Sequence, residues 1–122
     1  MEFIFSQRQN EQWQRLMSLL KEKFQQEIKL EGLLLLIGIQ EIGGRVRPYT
    51  KEEKIDLMHV GLCAILEPAG YYKKTHIDSE GWPHWELVRP LENRDVFNQK
   101  LFLRYYILEY FLKIFPQELL SN

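Results

Sequence analysis

Two histidines, His76 and His84, have a side-chain type and a spacing that could allow them to bind a metal ion. The sequence from Gly70 to Arg89 predicts a β-hairpin, and a type I turn with a glycine bulge at residues 78–81 pairs the two histidines. With a nearby carboxylate they could bind a divalent transition metal. The predicted ligands are His76, His84, Asp78 and Glu86. The alternative, which we favour, is a solvated polar face.

A second candidate pair lies on the predicted third helix. His59 and Cys63 are four residues apart and therefore share a helix face. They could share a metal, or His59 could activate the Cys63 thiolate. A lone cysteine among leucines and isoleucines is more often a small buried hydrophobe, and we favour that interpretation.

A basic cluster precedes the third helix, where Arg45, Arg47 and Lys51 gather around Tyr49. Arginines beside the amides of a helix N-terminus suit a phosphate or a carboxylate. No glycine-rich phosphate loop accompanies them. The alternatives are an anion site and, as we favour, a solvated loop.

The hairpin also predicts a contact surface. Pro83 cannot donate a backbone hydrogen bond, so its strand should lie at a sheet edge, where a partner strand could add. The face predicted to pack on the helices carries Tyr71, Thr75, Ile77, Trp85 and Leu87. The outward face carries Tyr72, Lys74, His76, Asp78, Trp82, His84 and Glu86. The aromatic residues predicted to contact partners are Tyr72, Trp82 and Tyr49.

The predicted fold is α+β and mainly α, with about four helices and the hairpin between the third and the last of them. Apolar periodicity predicts helices over about 7–28, 30–42 and 50–66. A last helix starts at Asn93 or Asp95 and reaches Phe115. Capping boxes are expected at Ser6 with Gln9 and at Thr50 with Glu53.

The last predicted helix has apolar residues on nearly every side. Such a helix is either the centre of a domain or half of a dimer interface. We therefore expect a homodimer that associates through this helix.

Composition narrows the class of protein. The chain has 122 residues, 16 Lys and Arg against 17 Asp and Glu, and a single cysteine. The charge balance argues against a dedicated polyanion binder. Without a secretory signal or a membrane-spanning stretch, we expect a cytoplasmic single domain over residues 1–122. No cofactor is predicted. No nucleophile–base–orienter set can be read from residue spacing alone, so we favour a binding or interaction module over an enzyme.

The order helix, helix, helix, hairpin over about 31–89 resembles the winged helix-turn-helix family, whose hairpin forms the wing. That resemblance implies DNA binding by the third helix. This helix, however, exposes Glu52, Asp56 and His59, and phosphates would repel its carboxylates. Residues 45–94 hold eight basic and eight acidic side chains. The charges thus argue against nucleic acid as a partner.

Two longer segments, GIQEIGGRVRPYTKEEKIDLMHVGLCAIL and GYYKKTHIDSEGWPHWELV, span residues 38–66 and 70–88. They are similar to a group of small bacterial proteins of unknown function. The resemblance implies a compact cytoplasmic single-domain protein and carries no activity.

Overall fold

A computed structural model describes residues 4–91 and 96–120, which form five helices and one two-stranded antiparallel hairpin. The described residues group into two compact units. One contains those of Met1–Lys29 and Asn93–Asn122, and the other those of Leu30–Glu92. The predicted α+β, mainly helical class is confirmed, with the hairpin after the third helix. That the whole chain acts as one domain stays a prediction.

The first helix, α1 (Gln7–Phe24), begins at the predicted capping box. The Ser6 hydroxyl accepts from the Gln9 amide at 3.1 Å, and the Gln9 side chain accepts from the Ser6 amide at 2.8 Å. The helix ends before the predicted Ile28, because Gln25 turns into the left-handed region with φ of 59°.

The same unit contains α4 (Val96–Ile114) and a short helix, α5 (Pro116–Leu120). Pro116 lacks an amide hydrogen, so it ends α4 and suits the first position of a new helix. This gives five helices among the described residues instead of about four. The predicted start of the last helix, at Asn93 or Asp95, lies outside the described residues. The buried apolar side chains of this unit are Trp13, Leu16, Leu20, Phe102, Ile107, Leu108 and Phe111.

The second unit begins with α2 (Leu30–Glu41) and α3 (Lys51–Leu66). The predicted capping box starts α3: the Thr50 hydroxyl accepts from the Glu53 amide at 3.1 Å, and Glu53 accepts from the Thr50 amide at 2.9 Å. The buried side chains of this second unit include Leu33, Ile37, Leu57, Val60, Cys63, Ile65, Leu66 and Tyr71.

Two glycines allow α2 and α3 to pack with their backbones in contact. A β-carbon on Gly38 would overlap the carbonyl oxygen of Leu57, and one on Gly61 would overlap that of Leu34. Each helix thus offers a glycine to the backbone of the other. Any larger residue at either position would push the helices apart.

The hairpin pairs β1 (Tyr72–Ile77) with β2 (Pro83–Leu87). Near the turn the predicted register is confirmed, with His76 opposite His84. The Asp78 amide donates to the Trp82 carbonyl at 2.9 Å. Gly81 takes the positive φ of 90° that the turn requires.

Beyond the histidines the predicted register is wrong by one residue. The register shifts between Lys74 and His76, so Trp85 lies opposite Lys74 rather than Thr75. The extra residue is Thr75, whose hydroxyl donates to the His84 carbonyl at 3.2 Å. Since side chains alternate along a strand, the bulge moves Tyr72 and Lys74 to the face that carries Trp85. The Lys74 ammonium indeed lies 5.3 Å from the Trp85 ring centre.

Candidate functional site

The two hairpin histidines are exposed and stack in parallel. Their ring centres are 4.7 Å apart and their planes differ by 3°. His84 Nε2 lies 2.8 Å from Asp78 Oδ2, and His76 Nδ1 lies 2.9 Å from the Thr75 hydroxyl. The sequence therefore correctly predicted that His76, His84 and Asp78 meet.

This geometry does not suit a shared metal ion. An imidazole nitrogen holds its lone pair in the ring plane, so two parallel rings direct their lone pairs side by side and not at one ion. Across the sheet, Glu86 is paired with Lys73. In the described parts of the chain, no group of three or more His, Cys, Asp or Glu is placed to hold a metal. The predicted ligands His76, His84, Asp78 and Glu86 are not assembled as a chelating set.

Asp78 instead organises the turn. Its Oδ1 accepts from the amides of Glu80 at 2.9 Å and Trp82 at 3.0 Å, while Oδ2 faces His84. The hydrogen bond to His84, followed by that from the Trp82 amide, holds the pKa of this carboxyl below its usual value. The carboxylate is therefore ionised at neutral pH and stabilises the turn.

His59 and Cys63 lie close together, but the surroundings of Cys63 do not favour a reactive thiolate. Cys63 Sγ lies 3.6 Å from His59 Nε2. Cys63 is fully buried, and burial, together with the charge of Glu67, raises the pKa of its thiol to about 11. A thiol that stays protonated is a poor nucleophile and a poor metal ligand. Cys63 is thus a small buried hydrophobic residue, the interpretation that the sequence favoured. His59 contacts Tyr72 instead, whose ring lies edge-on at 6.4 Å between ring centres.

The basic cluster before α3 is occupied by neighbouring groups. Arg47 stacks on the Tyr49 ring at 3.9 Å, donates to the Pro48 carbonyl at 2.9 Å, and lies 3.6 Å from the Glu53 carboxylate. Thus a carboxylate of the chain itself already lies at this helix N-terminus. The hydrogen bond from the Thr50 amide, chiefly, lowers the pKa of Glu53.

Of the residues predicted to bind an anion, only Arg47 has its side chain engaged in this way within the described chain. The charged groups that would have formed the anion site are Arg45, Arg47 and Lys51. Arg45 contributes its carbonyl, which accepts from the Tyr49 hydroxyl at 2.6 Å, and Lys51 is exposed to solvent. Because Arg47 is engaged by Glu53, an added anion would have to displace that carboxylate.

The exposed apolar side chains of the hairpin differ from those predicted. Tyr72, Trp82 and Tyr49, the predicted contact residues, are each half-buried. Ile77 and Leu87 were predicted to pack on helices but are 63% and 53% exposed, and Val88 is 50% exposed. Sequence reasoning missed this apolar surface because β-branched and leucine side chains in a strand are usually read as core.

The two outer edges of the hairpin differ in their hydrogen bonding. Val88 donates to the Tyr71 carbonyl at 2.9 Å, and hydrogen-bonded and non-bonded pairs alternate along an antiparallel ladder. The amides of Lys74, Trp85 and Leu87 therefore point outward. On β1, the Lys74 amide is taken by Glu67 Oε2 from the end of α3 at 2.9 Å. On β2, nothing in the described chain pairs with the outward amides, because the sheet has two strands only.

Trp85 also carries a side-chain donor without a partner in the described part of the chain. Its indole Nε1 is buried without a hydrogen-bond partner among the residues that the structure describes. Such a group lowers stability unless water or a partner satisfies it. The burial of this nitrogen is consistent with the predicted packing of Trp85 on the helices.

The unit containing α1 has a separate feature that the sequence did not indicate. The Arg104 guanidinium lies 4.7 Å from the Trp13 ring centre and 5.3 Å from that of Phe5. Burial lowers the pKa of Arg104. These contacts are typical of a structural cation–π interaction.

The same unit also contains a groove of about 480 Å³ between α1 and α5. Its lining is Leu16, Leu19, Leu20, Glu22, Lys23, Phe115 and Glu118. Charges of both signs surround an apolar floor, so the groove does not indicate a particular ligand.

Comparisons add no assignment: no protein-family model, curated protein or solved structure matches this chain. The resemblance to small bacterial proteins thus finds no support in these comparisons. Within the described ranges, every helix is too short or too polar to cross a membrane.

Proposed function

We propose that this chain is a protein-interaction module that binds an extended segment along the outer edge of β2. The observation that carries the proposal is the difference between the hairpin's two edges. Glu67 occupies the outward amide of Lys74 on β1, whereas the outward amides of Trp85 and Leu87 on β2 have no partner in the described chain. An unpaired strand edge is a template for addition of another strand.

The surroundings of this edge support the proposal. His84, Glu86 and Leu87 are exposed and Trp85 is half-buried, whereas Pro83 at the start of β2 is buried. A two-stranded hairpin is only marginally stable in water, and a third strand would bury more of its apolar surface. Pro83 accepts through its carbonyl but cannot donate, which limits the donor positions to Trp85 and Leu87.

Self-association through the last helix has less support. Between residues 99 and 114 the exposed side chains of α4 are all polar, namely Gln99, Lys100, Glu109 and Lys113. None of the large exposed hydrophobic side chains belongs to this stretch. Its apolar residues are thus largely covered within one chain, and a partner would gain little by packing there.

Nucleic-acid binding by α3 also has little support. The exposed side chains of α3 are Lys51, Glu52, Lys54, Ile55, Asp56 and His59. Two acidic groups accompany the two lysines, so this surface lacks the basic excess that phosphates require.

We infer a reducing, cytoplasmic location for the module. The support is its single cysteine, which is buried and unpaired.

A random peptide library displayed on phage tests strand addition. The selected peptides are measured against the parent protein, Leu87→Pro and Leu87→Ala. Proline removes the outward amide of residue 87 without removing a bond to β1, and edge strands tolerate it. Alanine trims the same side chain but keeps the amide. We expect about a tenfold or greater loss of affinity for Leu87→Pro and a smaller loss for Leu87→Ala.

Circular dichroism of both variants checks that the fold persists. Peptides that bind the parent and Leu87→Pro equally well would contradict strand addition at β2. So would a library that yields no binder dependent on this edge.

A further inference from the structure

We propose that the segment bound at the edge of β2 is the β2 strand of a second copy, so that two hairpins form a four-stranded antiparallel sheet. This inference rests on the proposed function and names its partner. It follows from the sequence of β2, Pro-His-Trp-Glu-Leu, when the strand is placed antiparallel to itself.

Pairing about a twofold axis at Trp85 satisfies the free backbone groups. The outward amide of Trp85 donates to the carbonyl of Trp85 in the second copy, and the reverse bond follows by symmetry. The amide of Leu87 donates to the carbonyl of Pro83 across the axis, again twice. Only the Leu87 carbonyl finds no backbone donor across the axis, because Pro83 has no amide hydrogen. Proline is tolerated at such a position of an edge strand.

The same register makes the side chains complementary. His84 falls directly opposite Glu86 of the second copy, and each such pair occurs twice. Within one chain His84 Nε2 donates to Asp78, so Nδ1 can bond the Glu86 carboxylate of the second copy only in the imidazolium form of His84, in which both ring nitrogens donate. Glu86 would then lie between Lys73 of its own hairpin and an imidazole of the second copy.

The other face of the sheet gains apolar contacts in this register. Trp85 meets Trp85, and the half-exposed Leu87 meets Pro83. A shift of two residues, the smallest that keeps the outward amides facing each other, would set His84 opposite His84 or Glu86 opposite Glu86 and lose the charge pairing. The pattern of β2 thus favours one register and one partner, a second copy.

The first test is the dimer dissociation constant, measured by sedimentation velocity from micromolar to millimolar protein. We expect reversible dimers for the parent protein and Leu87→Ala. Leu87→Pro removes one bond in each copy and should raise the dissociation constant about tenfold or more. A parent that stays monomeric, or a Leu87→Pro variant that dimerises as the parent does, overturns the proposal.

A second test needs no structural variant. Amide exchange followed by NMR should slow at Trp85 and Leu87 as protein concentration rises through the dimerisation range. Exchange at His84 and Glu86 should not change, since their amides already pair within the hairpin. Protection that is independent of concentration at Trp85 and Leu87 overturns the proposal.

Disulfide trapping tests the register. Residues opposite each other have Cβ atoms about 4.5–5.5 Å apart, whereas diagonal neighbours are about 7–8 Å apart and too distant to bridge. A mixture of His84→Cys and Glu86→Cys should therefore oxidise to a covalent dimer faster than either variant alone. Native Cys63 is buried and does not compete. Equal trapping in the mixture and in the single variants overturns this register.

The two proposals fail separately. If the parent is monomeric but library peptides still depend on the Leu87 amide, a second copy is not the partner and strand addition stands. If the parent is monomeric and no library peptide depends on the Leu87 amide, both proposals fail.

Discussion

Asp78 shows how much of the hairpin depends on one carboxylate, because its two oxygens accept from two turn amides and face His84. Aspartate at the first position of a turn was readable from the sequence. The parallel stacking of His76 on His84 was not, because ring orientation depends on where Thr75 and Asp78 direct their own polar atoms.

Substitution of Asp78 separates its two roles. Asp78→Asn keeps an oxygen for the amides of Glu80 and Trp82 but removes the charge, whereas Asp78→Ala removes every acceptor. At pH 7 we expect the urea midpoint to fall in the order parent, Asn, Ala, and amide exchange at Trp82 to quicken most in the Ala variant. Identical exchange in both variants would contradict the role of Oδ1.

The same carboxylate gives an acid dependence of defined sign. Since the folded state lowers the pKa of Asp78, its stabilisation is complete above about pH 4, the usual range for this group. It is lost as the pH falls through the lower folded value. Urea titrations at a series of pH values should show a shallower acid slope for Asp78→Asn than for the parent.

At the scale of elements, the contact between α2 and α3 depends on two glycines that the sequence shows only as breaks in helical propensity. Helical glycine normally lowers helix stability by roughly 1 kcal/mol relative to alanine. Here Gly38 and Gly61 each meet a carbonyl of the facing helix, so the loss of propensity is offset by close packing.

Gly61→Ala should therefore destabilise the protein although alanine favours helices. The added β-carbon would overlap the Leu34 carbonyl, and we expect the free energy of unfolding to fall by about 1–3 kcal/mol. Asp56→Ala, at an exposed position of the same helix, is the control and should leave stability nearly unchanged. Urea denaturation measures both. An increase in stability for Gly61→Ala would show that the helices do not touch there.

At the scale of the whole molecule, Cys63 links stability to alkaline pH. The folded thiol has a pKa of about 11 against its usual 9.0, because burial disfavours the thiolate. The unfolded chain therefore loses this proton first, and the free energy of unfolding should fall as the pH rises from about 9 to 11. The loss is roughly 2 kcal/mol by pH 11.

Cys63→Ala isolates this effect, because other groups also titrate in the same range. The variant should be less stable at pH 7, where it leaves a small cavity, but should lose less stability between pH 9 and 11. Chemical denaturation at each pH gives both values. Equal alkaline slopes in the two proteins would contradict the burial of the thiol.

The approximate positions of α1, α2 and α3, both capping boxes, the turn at residues 78–81 and the pairing of His76 with His84 could be predicted from the sequence, whereas α5 and the end of α1 at Phe24 could not. The predicted features depend on local hydrogen bonds and on short periodic patterns, which neighbouring residues suffice to specify. The bulge at Thr75, the exposure of Ile77 and Leu87, and the contact of Glu67 with one hairpin edge become known only from the folded chain. Each requires knowing which distant group meets the strand, and one extra residue in a ladder reverses every side chain beyond it.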